Sequence, residues 1–175
     1  ANDAVETLNH VHIRGRMEMI NSNTHGTIYV DYAHNYASLK RLLAFLKRQT
    51  NAGKVTVVLG ATGDKGISRR PGFGKALTEE QPDEVILTTD DPGFEDPMTI
   101  AREIDSYIDH DKVNHIQFEM DRETAIKKAI DGSGNDDIVV LAGKGEDPYQ
   151  KINGEDVPYP TDVKIARDYI NELEK

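Results

Sequence analysis

The chain has 175 residues, 37% of them hydrophobic and 30% charged, with a formal net charge of -10, which suits one domain with a well-solvated surface. The negative charge speaks against a duplex nucleic-acid backbone or an anionic membrane as partner, although an acidic surface also serves solubility alone. Cysteine is absent, which excludes disulfides and thiolate metal sites and suits a reducing, cytoplasmic setting; no apolar run reaches membrane-span length, and Ala1-Asn2-Asp3-Ala4 opens no signal peptide.

Residues 1–10 read as loosely attached, the remnant of an upstream linker or domain, and residues 11–175 as one domain. Residues 16–20 and 27–31 flank Asn21-Ser22-Asn23-Thr24-His25-Gly26, a polar stretch of turn formers. This is a hairpin pattern, and it sets an antiparallel strand beside the rest of the sheet. Residues 35–50 carry Leu39, Leu42, Leu43 and Leu46 at helical spacing. Val55-Thr56-Val57-Val58-Leu59 is short, apolar and β-branched and stops at Gly60; similar strands are expected at 84–89 and 137–142. Helices are expected at 72–80, 97–109 and 121–131, the second with Ile100, Ile104 and Ile108 on one stripe. Residues 113–118 alternate apolar and polar, as a half-covered edge strand does. The last helix, 161–174, opens with Thr161 as N-cap and turns Val163, Ala166, Ile170 and Leu173 inward. The alternation predicts an α/β fold: a Rossmann-like, mainly parallel sheet with one antiparallel strand from the N-terminal hairpin and helices on both faces.

In such sheets ligands collect beyond the carboxyl ends of the strands. The segments there are 31–34, 60–71, 90–96 and 143–150, all rich in charge or glycine. Turn formation accounts for Gly60, Gly63 and Gly66, and capping for Asp96 ahead of Pro97, but neither explains acids and bases meeting at one end of the sheet. Gly60-Ala61-Thr62-Gly63-Asp64-Lys65-Gly66 lacks the spacing of a phosphate loop, and no dinucleotide fingerprint closes. The six histidines are scattered, none in a zinc motif, and no nucleophile elbow starts a Ser–His–Asp arrangement. Residue chemistry alone leaves a site of carboxylates and bases, without a reaction.

Five segments in order resemble the C-terminal domain of the Mur ligases that add a diamino acid to a peptidoglycan precursor, over nearly the whole chain. Arg14-Gly15-Arg16-Met17-Glu18 is similar to the family's Gly-Arg-Met-Glu, and Asp31-Tyr32-Ala33-His34 to its Asp-Tyr-Ala-His. Gly63-Asp64 through Arg69-Arg70-Pro71 resembles the Gly-Asp…Lys-Arg-Pro loop. Thr89-Asp90-Asp91-Pro92-Gly93 stands for Ser/Thr-Asp-Asn-Pro-Arg, and Ala142-Gly143-Lys144-Gly145 with Tyr149-Gln150 for Gly-Lys-Gly-His-Glu-Asp-Tyr-Gln. The resemblance implies a three-domain enzyme. Its first domain binds the UDP-sugar, its central one holds ATP phosphates and magnesium on a phosphate loop, and the third closes over the nucleotide and receives the amino acid. The family phosphorylates the carboxylate of the UDP-N-acetylmuramoyl-dipeptide, and the amine of the diamino acid attacks the acyl phosphate. Without a phosphate loop this chain alone is expected to be inactive, with no catalytic residue and no metal of its own.

The same resemblance implies ATP contacts for Arg16 and Asp31, a guanidinium against the base and a carboxylate for the ribose hydroxyls, with a surface ion pair as the plain alternative. His34 joins them, or only caps the following helix or packs against the central domain. Arg70 is matched to the amino acid's α-carboxylate, with Arg69 as rival and an exposed helix-start arginine as the plain alternative. Asp90, Asp91, Gly93, Gly143 and Asp147 are matched to the amino-acid pocket, and either Glu146 or Asp147 to the amine. Gly93 replaces the arginine that recognises the distal carboxylate of meso-diaminopimelate. With Asp90, Asp91 and Glu95 nearby, that favours L-lysine, while ornithine differs by a methylene worth only about 1–3 kcal/mol. Another Mur or folylpolyglutamate-type ligase domain, or a non-catalytic α/β ligand-binding module, are the competing readings.

Overall fold

Val55–Leu59 (β3) and Ile138–Ala142 (β6) are buried along their whole length, as parallel strands between two helical layers must be. In the computed structural model, which describes residues 16–50 and 52–175, they pair with each other at the centre of a six-stranded sheet. β2 (Thr27–Asp31) flanks β6, and β4 (Glu84–Leu87) with β5 (Ile116–Phe118) extends from β3, all parallel. β1 (Glu18–Ile20) runs antiparallel on the outer side of β2, the strand anticipated from the hairpin pattern. The expectations for residues 1–10, and for Arg14 and Gly15 in the first motif, lie outside the described residues.

The helices cover both faces. α1 (Tyr36–Gln49), α2 (Arg70–Glu80) and α3 (Pro97–Ser106) seal one core, where Leu39, Leu43, Leu46, Leu77 and Ile104 are fully buried beneath β3 and β4. α4 (Arg122–Asp131) and α5 (Asp162–Leu173) seal the other, where Ile126, Ile130 and Ala166 meet the opposite faces of β2, β3 and β6. Side-chain caps set the starts: Asn35, Asp96, Asp121 and Thr161 each accept from the backbone three residues on. Among the described residues no helix is long and apolar enough to cross a membrane.

The helix expected over 97–109 ends at Ser106 and the strand expected over 113–118 begins at Ile116, and three further features differ from the sequence reading. Leu173 was expected inward but is 37% exposed. Burial on α5 ends at Ile170, and the helix end is fastened instead by Glu174, which accepts from Ser22 Oγ at 2.7 Å and Asn23 N at 2.6 Å in the β1–β2 turn. A six-residue 3-10 helix, Asp64–Arg69, precedes α2 and was not anticipated. Nor was the hairpin of β7 (Tyr149–Ile152) and β8 (Glu155–Pro158), whose polar strands carry no apolar alternation. Its signal was the Asn153-Gly154 pair, which takes φ of 52° and 78° as a type I′ turn demands.

One buried ion pair ties the sheet to both helical elements behind it. The Arg122 guanidinium donates from Nε and Nη2 to Asp162 at 2.9 and 2.8 Å, and both side chains are fully buried. Its remaining donors reach Thr89 O at 3.1 Å and Ala142 O at 3.0 Å, the carbonyls just past β4 and at the end of β6. Tyr159 Oη donates to Asp162 at 2.6 Å. Breaking such a pair from one side strands a buried charge. Arg122→Met is therefore expected to lose about 3–5 kcal/mol in urea unfolding, and Arg122→Met/Asp162→Leu to recover much of it. A loss below about 1 kcal/mol for the single variant would show that the pair carries no such weight.

Candidate functional site

The carboxyl end of the sheet presents two adjoining concavities. The first, about 500 Å³, runs along α1 and is lined by Arg16, Met17, Asp31, Arg41, Phe45 and Arg48. Asp31 closes β2, and its two oxygens accept from Met17 N and Ala33 N at 2.8 Å each, so the turn around it holds the carboxylate in place. Arg16 is exposed beside it. Sequence reasoning paired these two residues, and they share this groove.

The second cleft, about 580 Å³, opens across the ends of β2, β3, β4 and β6. It brings together Arg16, His34, Asp90, Asp91, Gly143, Glu146 and Asp147, all residues singled out from the sequence. His34 is exposed; its Nδ1 lies 2.9 Å from Tyr32 O and its backbone N donates to Ser38 Oγ, so it also serves the start of α1. Tyr32 links two motifs. Its hydroxyl accepts from Glu146 N at 3.0 Å, and its ring lies where a side chain on Gly145 would stand, 2.5 Å from an added Cβ. Gly145 also has φ +56°, so the position favours glycine on both counts.

The floor of this cleft is ionic. Lys144, 1% exposed, donates to Asp91 Oδ1 at 2.9 Å and Tyr149 O at 2.7 Å. Asp147 Oδ2 lies 3.4 Å away and Asp90 Oδ1 3.6 Å. The ammonium also sits 5.5 Å above the Tyr159 ring. Three carboxylates around one ammonium leave an excess of negative charge. Burial pushes the Asp90 carboxyl up to about 6, against the opposing pull of Arg122 and Lys144.

Three residues expected at the site lie outside this cleft. Arg70 is 1% exposed and both terminal nitrogens of its guanidinium are engaged. Nη1 donates to Glu103 at 2.5 Å and Glu95 at 3.2 Å, and Nη2 to Glu95 at 2.6 Å and Thr62 O at 3.3 Å. Glu95, expected among the acids of the pocket, instead faces Arg70 and accepts from Asp64 N. Arg69, the rival arginine, is exposed and lines the cleft. Gly93 borders a neighbouring hollow with Phe94 and Gln150. Its N donates to Lys151 O at 2.9 Å and its O accepts from Asn153 N at 2.7 Å, and a Cβ at its φ of +63° would come within 2.3 Å of Asp64 Oδ2. The roles of Lys144, Arg122 and Tyr32 escaped the sequence reading. Lys144 stood inside a recognised motif between two glycines, whereas nothing in the sequence connects Arg122 to the strand ends.

Residues 15–145 match the family model described as Mur ligase, glutamate ligase domain. Over 175 residues the chain is 98% identical to the UDP-N-acetylmuramyl-tripeptide synthetase of Limosilactobacillus reuteri, covering 100% of the chain and 34% of that protein. Over 161 residues it is 47% identical to the UDP-N-acetylmuramoyl-L-alanyl-D-glutamate–L-lysine ligase of Enterococcus faecalis, covering 91% of the chain and 31% of that protein. Among solved structures, a UDP-N-acetylmuramoyl-L-alanyl-D-glutamate–2,6-diaminopimelate ligase superposes with a TM-score of 0.83 at 33% identity, over 95% of this chain and 33% of that one. The chain thus spans about a third of the length of the curated relatives it matches.

The raised Asp90 carboxyl makes stability depend on pH with a definite sign. Its folded value of about 6 exceeds the ordinary 3.8, so folding takes up a proton between those values and stability falls as pH rises through that window. Asp90→Asn is neutral throughout. Its stability relative to the wild type should therefore be higher at pH 7.5 than at pH 4, by on the order of 1–3 kcal/mol. Urea unfolding of both chains at the two pH values measures this, and a pH-independent difference would refute it.

Proposed function

Since the chain belongs to the Mur ligase family, we propose that it is the C-terminal domain of an ATP-dependent ligase that adds L-lysine to UDP-N-acetylmuramoyl-L-alanyl-D-glutamate in peptidoglycan synthesis. Family membership sets aside the reading as an unrelated α/β module. A cytoplasmic location goes with this reading. The domain closes over ATP and receives the amino acid, while upstream domains of the same protein hold the UDP-sugar, the ATP phosphates and magnesium. Among the described residues no group of three or more His, Cys, Asp or Glu side chains could hold a metal ion.

The shared groove of Arg16 and Asp31 supports the nucleotide role. A carboxylate has about four lone-pair sites; with two taken by backbone amides, two remain for ribose hydroxyls. Arg16, which lines both groove and cleft, then lies against the base, and His34 lines the cleft beside it. For the amino acid, the α-carboxylate falls to Arg69, which lines the cleft, while Arg70 acts from beneath by fixing Glu95 and the 3-10 helix. Gly143, with φ +108° and an added Cβ only 3.0 Å from Asp90 Oδ2, leaves room for the ligand beside that carboxylate. Gly93 supports the β7–β8 hairpin from the hollow beside the cleft.

The observation that carries the choice of lysine is the net negative floor formed by Asp90, Asp91 and Asp147 around Lys144, with Glu146 on the same rim. It suits a terminal ammonium and repels a distal carboxylate, which would stay unpaired in a partly desolvated cleft. Rejection of a charge outweighs the fit of a methylene. The full-length enzyme should therefore show a kcat/KM for L-lysine at least ~100-fold above that for meso-diaminopimelate. Equal values in steady-state ligation assays, or a preference for diaminopimelate, would overturn the assignment.

Two further outcomes follow from the division of labour. Arg69→Ala should raise the amino-acid KM by roughly one to two decades, the weight of a charged hydrogen bond, and leave the ATP KM in place. Unchanged lysine kinetics would return that role to another group. The 175-residue chain alone should fold yet neither hydrolyse ATP nor ligate lysine. ATP turnover that travels with the purified chain and vanishes in Arg16→Ala would refute this.

A further inference from the structure

We propose that Lys144 is a positioning residue for the incoming amino acid, its buried ammonium gathering carboxylates from two separate loops into the face that receives the substrate's terminal ammonium. The inference deepens the ligase reading above and rests on it. Asp90 and Asp91 belong to the loop after β4, while Asp147 and the Tyr149 carbonyl belong to the segment after β6. Among the described residues, Lys144 is the one side chain that these four groups surround.

A lysine ammonium has three donors and no acceptor, and here they are directed at Asp91 Oδ1, Tyr149 O and, more distantly, Asp147 Oδ2. A compact point charge can serve acceptors on several sides, where a planar guanidinium would favour one edge. Without it, three carboxylates would face one another in a site of reduced dielectric, and their loops would move apart. With it, their spacing is set before any ligand arrives. Lys144 is 0% exposed in its side chain, so it does not itself meet the ligand. Its backbone neighbours fix its direction: Gly143 and Gly145 take φ of +108° and +56°, turning the chain sharply on either side of it. The internal ammonium leaves the cluster short of one or more positive charges, which the substrate's ammonium supplies.

A mere structural staple would lower stability without distinguishing between substrates. The test is steady-state ligation by the full-length enzyme with ATP and each of L-lysine, L-ornithine and meso-diaminopimelate, comparing wild type with Lys144→Met. The variant is expected to raise the KM for the preferred diamino acid at least ~10-fold while the ATP KM stays within about twofold. If circular dichroism shows that Lys144→Met does not fold, Lys144→Met/Asp91→Asn, which removes one charge of each sign, takes its place with the same expectation. A folded variant with the wild-type amino-acid KM overturns the proposal, as does an ATP KM that rises in parallel. The wild-type arm separates the two levels. If the wild type ligates none of the three amino acids, the ligase reading itself fails and the inference with it. If it prefers one other than lysine, the comparison with that amino acid still decides the role of Lys144.

Discussion

The carboxyl end of this sheet depends on a guanidinium that no solvent reaches. Arg122 draws together the carbonyls of Thr89 and Ala142, and the next residue along each strand end is a residue of the cleft, Asp90 or Gly143. A buried cation is tolerable only when its donors are satisfied and its charge is met, and Asp162 does both at once. Tyr159 then orients Asp162, and the same ring lies under the Lys144 ammonium. The two internal cations of the site are thus connected through one tyrosine. The strand ends, the acidic floor and the start of α5 form one hydrogen-bonded body.

Much of the fold was legible because it is written in apolar spacing. The leucines of α1, the isoleucines of α3 and the β-branched runs of β3 and β6 are buried as their periods require. The β7–β8 hairpin was illegible to that method, since β8 is exposed throughout and β7 half-buries Gln150 and Ile152 without an apolar–polar alternation to show it. Leu173 misled in the opposite sense. Its spacing matches the buried stripe, yet the last turn of a helix can run past the surface it packs on, and only tertiary contact decides where burial stops.

The candidate site was legible in its membership more than in its wiring. Motifs past the strand ends brought most of the cleft residues forward, because position in an α/β sheet predicts where ligands gather. What the motifs could not convey was which charges are already engaged. Arg70 and Glu95 read as two free groups of opposite sign and turn out to be paired with each other. Asp91 read as an open carboxylate and carries Lys144 and the Lys151 amide. Charge pairing is a relation between distant loops, so a reading that proceeds along the chain has no access to it.

The fastening of Glu174 onto Ser22 and Asn23 bears on how this body moves when pulled. β1 is the edge strand through which the described chain enters the sheet, and Arg167 of α5 holds Glu18 of that strand at 2.7 Å. Entry strand and final helix are therefore held at two points, Glu18 to Arg167 and the turn after β1 to Glu174, about two turns apart along the helix. A load applied at β1 would pass to the sheet edge and the final helix together.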